Sequence, residues 1–421
     1  MLILKSYTEI IGAGVFNQSG GTHTVDNNLF VRYGGEYNLS GTGSLTVKNN
    51  EFIGERGNGV FNQTAGIHTV NKDLFFGYYG FSNGIYNLSN TGSLIVKRNE
   101  YLGYDGVATF NQTGGTHRVD GILNIGSYSG DGTYNLSGGT LTAHSIVNKD
   151  TLNYTGGNLN LGTDGSGTYT NIITGVTNLS GAGTRTINGK VTNLGTFNVN
   201  NTTANYTGRF TNFGAYISDP STNYFNDLVI SSSGYLSGGA GDSWIISGDL
   251  ISMSTQNTLW STADSYLSFV TGADLLHDLY ITGKDLGAVL DGFTNNFAWG
   301  TLELAENNIL RLFDGDTITN VYTSGIVSYD SSRFDGGALY VNRILGLDIS
   351  GTSILNIYGN GLNIYYLASA NDYLGGLTYE LIDGGYLIPI KDTAPVPEPG
   401  TVVLFTAGLA GFAAFRKRLK K

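Results

Sequence analysis

The sequence predicts an all-β chain, a parallel β-helix (β-solenoid) of about 20–25-residue coils followed by a single C-terminal transmembrane helix. Three observations predict it. A phrase returns along the chain: FNQSGGTHTV at residues 16–25, FNQTAGIHTV at 61–70 and FNQTGGTHRV at 110–119. A sister phrase alternates with it: YNLSGTGSLTV at 37–47, YNLSNTGSLIV at 86–96 and YNLSGGTLTA at 134–143, with worn copies at 152–161 and 177–187. The third observation is an uncharged run at 401–415 closed by RKRLKK.

Start-to-start steps of 21, 24, 25, 24, 24, 18 and 25 residues set the coil length. Each unit opens on an aromatic or large apolar residue, then Asn, a Thr/Ser–Gly turn, and alternation that ends in Val. That pattern reads as strand–turn–strand. One unit cannot bury its apolar side alone, so coils must stack. Stacking predicts an Asn column through Asn17, Asn38, Asn62, Asn87, Asn111, Asn135, Asn153 and Asn178. Such amides can bond one above another. Sequons at Asn17, Asn62 and Asn111 coincide with this column and read as structural.

Composition agrees. Gly is 63 of 421 residues, about twice the usual share, and charged residues are 13%, about half of it. Aromatic residues at 12% supply enough apolar surface to argue against disorder. The net charge is −11, and without the last six residues the body carries −16, which argues against nucleic-acid binding. Cysteine is absent.

In chain order, residues 1–226 are the repeat array, blurred after about residue 188. Residues 227–392 keep apolar/polar alternation with Gly/Asn/Ser turns and read as further strands, a continued solenoid with less regular corners. LHDLYITGKDLGAVLDGF at 276–293 holds a candidate short helix. EIIG at 9–12 matches EFIG at 51–54 and EYLG at 100–103, so Glu9, Glu51 and Glu100 are expected to stack. The chain is therefore expected to start inside a coil, with its natural N-terminus, signal peptide and cap missing; the alternative is a non-exported or decayed gene product.

Residues 393–400 hold three of the five prolines and read as a stiff extended linker. The run at 401–415 is short for a full span, but flanking Lys and Arg can snorkel, so it is expected to cross the membrane with its basic end in the cytoplasm.

Pro397, Glu398 and Pro399, the apolar run at 401–415 and the basic cluster Arg416, Lys417, Arg418, Lys420 and Lys421 together resemble the PEP-CTERM sorting signal of Gram-negative bacteria. The resemblance covers about the last 27 residues. It implies recognition by an exosortase, a membrane protease-transpeptidase. It also implies export, a transient inner-membrane anchor, then a cell-surface or extracellular location, often alongside exopolysaccharide. Upstream, the array resembles autotransporter-type β-helix repeats. No signal peptide is visible in this chain.

Candidate chemistry is sparse. His23, His68 and His117 share one position, held by Leu45, Leu94 and Leu141 in the sister units. Histidines two coils apart lie roughly 9.6 Å apart, too far to share a metal, and read as buried structural residues. Glutamates repeated every second coil read as scaffold rather than as the local carboxylate pair of a glycosidase. Asp314, Asp316 and Asp131 lack the spacing of a calcium loop and read as turn residues. No catalytic, metal or cofactor site is assigned, and the chain is expected to be non-enzymatic, a surface or matrix protein presenting a long repetitive face. The alternatives are a β-helix polysaccharide lyase or hydrolase, for which 227–383 is the place to look for a carboxylate cleft with Arg or Lys, and an autotransporter-like adhesin passenger.

Overall fold

The computed structural model describes residues 2–4, 8–10, 14–162, 165–273, 275–322 and 327–392, the first six as backbone only. The chain forms a β-solenoid of about 16 turns with coils of about 23 residues. In the first coils of the repeat array each coil carries three strands, which at 107–161 run on through the corners as Val107–Ile125, Asp131–Asn148 and Thr151–Leu161. Gly35–Leu39, Ser44–Val47 and Glu51–Ile53 make one coil; Asn58–Gln63, Ile67–Val70 and Leu74–Phe76 make the next. Each strand pairs in parallel with its counterparts one coil before and after, residue for residue: Tyr37 opposite Phe61, Leu45 opposite His68, Glu51 opposite Leu74.

Alternation in sequence becomes alternation in burial. In Asn83–Leu88, the residues Gly84, Tyr86 and Leu88 are buried and their neighbours are not. The buried aromatics that open each unit stack along the axis: Tyr37, Phe61, Tyr86, Phe110 and Tyr134 follow at 4.8–4.9 Å with ring planes within 4° of parallel. Their spacing is the strand spacing of a sheet, so the backbone ladder sets the ring stack. At the corner between the first two strands, Gly66 has φ +77°, and a Cβ there would stand 2.3 Å from the Gly43 carbonyl oxygen. Only glycine lets coils approach so closely at that turn.

The asparagine column forms as expected. Asn38 Nδ2 donates to Asn17 Oδ1, and the chain of bonds continues through Asn62, Asn87, Asn111, Asn135, Asn153 and Asn178 at 2.8–2.9 Å. It runs one rung further, to Asn198. A second ladder lies inside the core. Asn148, Asn171, Asn193 and Asn212 are fully buried and linked at 2.8 Å, each also donating to a backbone carbonyl. They replace the apolar column Val31, Ile53, Phe76, Leu102 and Ile125 at the end of the third strand.

Two expectations need correction. Thr8, not Glu9, stands opposite Leu29, while Leu29 stands opposite Glu51. Glu9 is thus one residue out of the Glu51 and Glu100 column. Residues 276–293 do not form an α-helix. They hold the strand Leu276–Ile281 and a four-residue 3-10 turn, Leu290–Phe293. Strand pairing wins there, since Leu276–Ile281 matches Ile309–Asp314 along its whole length.

Beyond residue 227 the parallel ladders continue from Leu228–Ile230 through to Tyr386–Ile390. Irregular corners at 284–298 and 315–337 interrupt them, the latter with an antiparallel pair, Ile318–Val321 with Val327–Tyr329. Among the described residues no helix is long and apolar enough to cross a membrane. The transmembrane helix expected at 401–415 lies outside the described residues.

The two ladders predict unequal costs. Asn193→Ala takes the side-chain donor from the buried Asn212 Oδ1 and from the Ala215 carbonyl and should lower stability by about 1–3 kcal/mol, whereas Asn111→Ala, on the wetter column, should cost about 1 kcal/mol. Urea unfolding of the two variants measures the difference; equal costs would mean that the inner ladder is no more desolvated than the outer one.

Candidate functional site

Three places hold the chain's chemistry: a polar network in the core, a carboxylate cleft at the irregular corners, and the tail that follows the last coil.

His23, His68 and His117 all point into the core and are buried. Each stands opposite the leucines of its sister coils, as the alternation in sequence requires. The structure adds their partners. Gln63 Nε2 donates to the Gly66 and Ser93 carbonyls, which fixes the amide so that Oε1 faces Tyr86. Tyr86 Oη donates to that oxygen at 2.6 Å, and its own oxygen lies 3.0 Å from His68 Nδ1. Burial, with smaller contributions from the Glu51 and Glu100 carboxylates, pushes the Tyr86 hydroxyl well above its ordinary value, so it stays a donor. His68 Nδ1 must then be protonated too. His68 Nε2 lies 2.7 Å from Glu51 Oε2, and one proton is shared between them. The set recurs as Gln112, Tyr134, His117 and Glu100. In each case the glutamate comes from the preceding coil, 17 residues upstream. Both pairs are shut away from water, so they cross-link coils rather than act on a substrate.

The first copy differs. His23 Nδ1 meets Tyr37 at 2.9 Å and Tyr37 donates to Gln18, while His23 Nε2 has no hydrogen-bond partner among the described residues. Burial alone holds the His23 imidazole below its ordinary value of 6.5.

The second place is where an enzymatic reading would look. Residues 284–298 and 315–337 flank a cleft of about 620 Å³ whose lining includes Lys284, Asn296, Asp314, Asp316 and Asp335. The carboxylate oxygens of the three aspartates lie within 4.8 Å of one another. Asp314, buried, is committed to the turn: it accepts from the backbone N–H groups of Asp316, Asp335 and Gly336. Asp316 and Asp335 are exposed. Desolvation, then the Asp316 and Asp314 charges, raise Asp335 above the usual carboxylate value. Sequence reasoning took Asp314 and Asp316 as turn residues, which suits Asp314; it missed Asp335, which no repeat links to them. Asp131 stands apart, exposed at the start of Asp131–Asn148.

The third place is the tail. The last described strand, Tyr386–Ile390, pairs in parallel with Asn363–Leu367. Asp392 caps the exit by accepting from Ser369. Residues 395–418 match the PEP-CTERM protein-sorting motif.

The chain carries a PEP-CTERM sorting motif. Such a motif implies processing by an exosortase and export. The match takes in Pro397, Glu398, Pro399, Arg416, Lys417 and Arg418 and stops before Lys420 and Lys421. All eight lie outside the described residues. No curated protein and no solved structure matches the chain.

Two outcomes follow for the core network. His68→Leu should destabilise the chain by about 3–5 kcal/mol, because it leaves the Glu51 carboxylate buried and unpaired. Adding Glu51→Leu puts into both columns the residue that neighbouring coils carry there, and should restore stability to the parent's level or above, measured by chemical unfolding. A double variant no more stable than the single would show that the pair is more than a tolerated substitute for two leucines. For His23 the folded-state value is lowered, so its contribution is complete above about pH 6.5 and is lost as pH falls through the folded value. His23→Leu should therefore narrow the drop in melting temperature between neutral and mildly acid buffer; an unchanged drop would place the acid sensitivity elsewhere.

Proposed function

We propose that this chain is an exported, non-enzymatic surface or matrix protein whose solenoid presents a long repetitive face to extracellular polymers. The observation that carries the reading is the sorting motif at 395–418, joined to the last coil by only a few residues. A rigid solenoid suits such a task. Its coils repeat the same outward residues every strand spacing, so one weak contact is offered many times along the axis. In this reading residues 401–415 span the inner membrane and Arg416, Lys417, Arg418, Lys420 and Lys421 hold the C-terminus in the cytoplasm. Pro397, Glu398 and Pro399 then sit near the opposite face, where an exosortase reaches them. Pro keeps that segment extended, since it fixes its own φ and biases the preceding residue away from helix.

The cleft between 284–298 and 315–337 favours one second reading, a polysaccharide hydrolase or lyase. Reducing-end or unsaturated-product assays on the purified chain, compared with Asp316→Asn and Asp335→Asn, test it; activity lost in either variant would replace the non-enzymatic reading.

The sorting reading is tested with the chain expressed behind a working signal peptide in a host that carries an exosortase. Replacing Pro397, Glu398 and Pro399 with Ala should leave membrane insertion intact and block processing, followed by the size and release of the product. Neutral residues in place of the five basic ones should reduce retention during export. Processing of the triple-Ala chain at the parent's rate would leave only a plain membrane anchor.

A further inference from the structure

Ten non-glycine residues in the described chain have positive φ. Six are Asn or Asp, which tolerate that conformation. The other four are aromatic: Tyr33 (φ 55°), Phe81 (φ 66°), Tyr128 (φ 43°) and Phe297. For a bulky residue this backbone is strained, and strain of this kind collects at functional positions. Phe297 packs against the core. Tyr33, Phe81 and Tyr128 do the opposite. Tyr33 is 46% and Tyr128 76% exposed, and Phe81 is wholly exposed.

These three share one corner. Each lies in the loop where one coil ends and the next begins: Tyr33 between Leu29–Val31 and Gly35–Leu39, Phe81 between Leu74–Phe76 and Asn83–Leu88, Tyr128 between Val107–Ile125 and Asp131–Asn148. Successive members are two coils apart, roughly 9.6 Å along the axis. Tyr104, from the intervening corner, backs Tyr128 at 5.3 Å, and Arg32, in the same loop, lies over Tyr33 at 5.3 Å. The charges at this corner are balanced, with Arg32 paired to Glu55.

We propose that this corner is a binding comb for an extended, neutral β-1,4-linked polysaccharide. The chemistry follows from the rings. The faces of a pyranose carry C–H groups that are slightly positive, and they settle on the negative face of an aromatic ring. In an extended twofold β-1,4 chain the same sugar face recurs once per disaccharide, a repeat close to two coils. The positive-φ rings recur once per two coils, with Tyr79, 44% exposed, beside Phe81 in the middle loop, and so meet that polymer in register. A compact α-linked helix offers no such repeat. A charged polymer gains nothing from a corner whose charges cancel, and an anionic one is opposed by the net charge of −11. Holding aromatic rings outward on a strained backbone also makes sense only if the rings meet something. Packing would be served as well by Gly or Asn there.

The inference rests on the reading of the chain as a polymer-facing solenoid, yet its test does not depend on sorting. Purified full-length protein is run in native gels cast with hydroxyethyl cellulose, a neutral β-1,4-glucan, or with dextran, an α-linked one. Hydroxyethyl cellulose should retard the parent, dextran should not, and added salt should leave the retardation unchanged. The triple variant Tyr33→Gly, Phe81→Gly, Tyr128→Gly removes the rings and relieves the backbone. It should melt no lower than the parent while its affinity for the β-glucan falls at least tenfold. Tyr224→Ala, an exposed tyrosine on a second-strand face, should bind as the parent does. No retardation by hydroxyethyl cellulose, equal retardation by dextran, or full binding by the triple-glycine variant would each overturn the proposal. So would ring-dependent self-association in sedimentation, which would make the corner a contact between copies of this chain. Failure of the sorting test with binding intact would refute exosortase sorting and leave the comb standing.

Discussion

Every coil of this molecule depends on its neighbours for its backbone hydrogen bonds. In the repeat array a strand of three to six residues has no partner within its own turn, so its N–H and C=O groups are satisfied by the coils above and below. That constraint forces register. A slip of one residue would turn Tyr86 and Leu88 out of the core and bring Asn87 in. The stacked aromatics and the two asparagine ladders are consequences of register, and they also enforce it, since an amide ladder bonds well only when its members lie one directly above another.

The same constraint explains why polar groups are admitted to the core. A residue placed in a column must be compatible with its counterparts one strand spacing away. Histidine alternates with leucine in one column, and glutamate alternates with leucine in the next. Like thus never stacks directly on like, and each Glu meets a His across the coil boundary. The cost of burying them is met by a complete chain of donors and acceptors from Gln63 through Tyr86 and His68 to Glu51. Only the outer carboxylate oxygens, Glu51 Oε1 and Glu100 Oε1, remain without partners in these two sets. The inner asparagine ladder solves the same problem with neutral groups, each amide serving its neighbour and a backbone carbonyl.

The positions proposed for function, by contrast, lie where the repeat is broken or left free. The sorting motif follows the last coil, the carboxylate cleft lies between two insertions, and the outward aromatics sit in loops of unequal length. Strands are paired residue for residue with their neighbours on two sides, whereas the corners are joined by fewer bonds from coil to coil. Variation is cheapest there, and so are exposed rings and charges.

Much of this was legible in the sequence because a solenoid writes its columns into the chain. Asn17 to Asn178, the His/Leu alternation and the outline of the coils followed from spacing alone, since residues at one phase of the repeat must stack. Even the inner ladder had a signal, the endings IVN, YTN, VTN and FTN at Asn148, Asn171, Asn193 and Asn212. The tail was legible for a different reason: prolines, an apolar run and a basic end act through local chemistry. Contacts between columns were not legible. Glu51 meets His68 only because the third strand of one coil turns toward the second strand of the next, and the turn depends on corner geometry that no period records. Asp335 joins Asp314 across an insertion, and Tyr33, Phe81 and Tyr128 share no phrase. Spacing along the chain determines what stacks; the path of the corners decides which stacks touch.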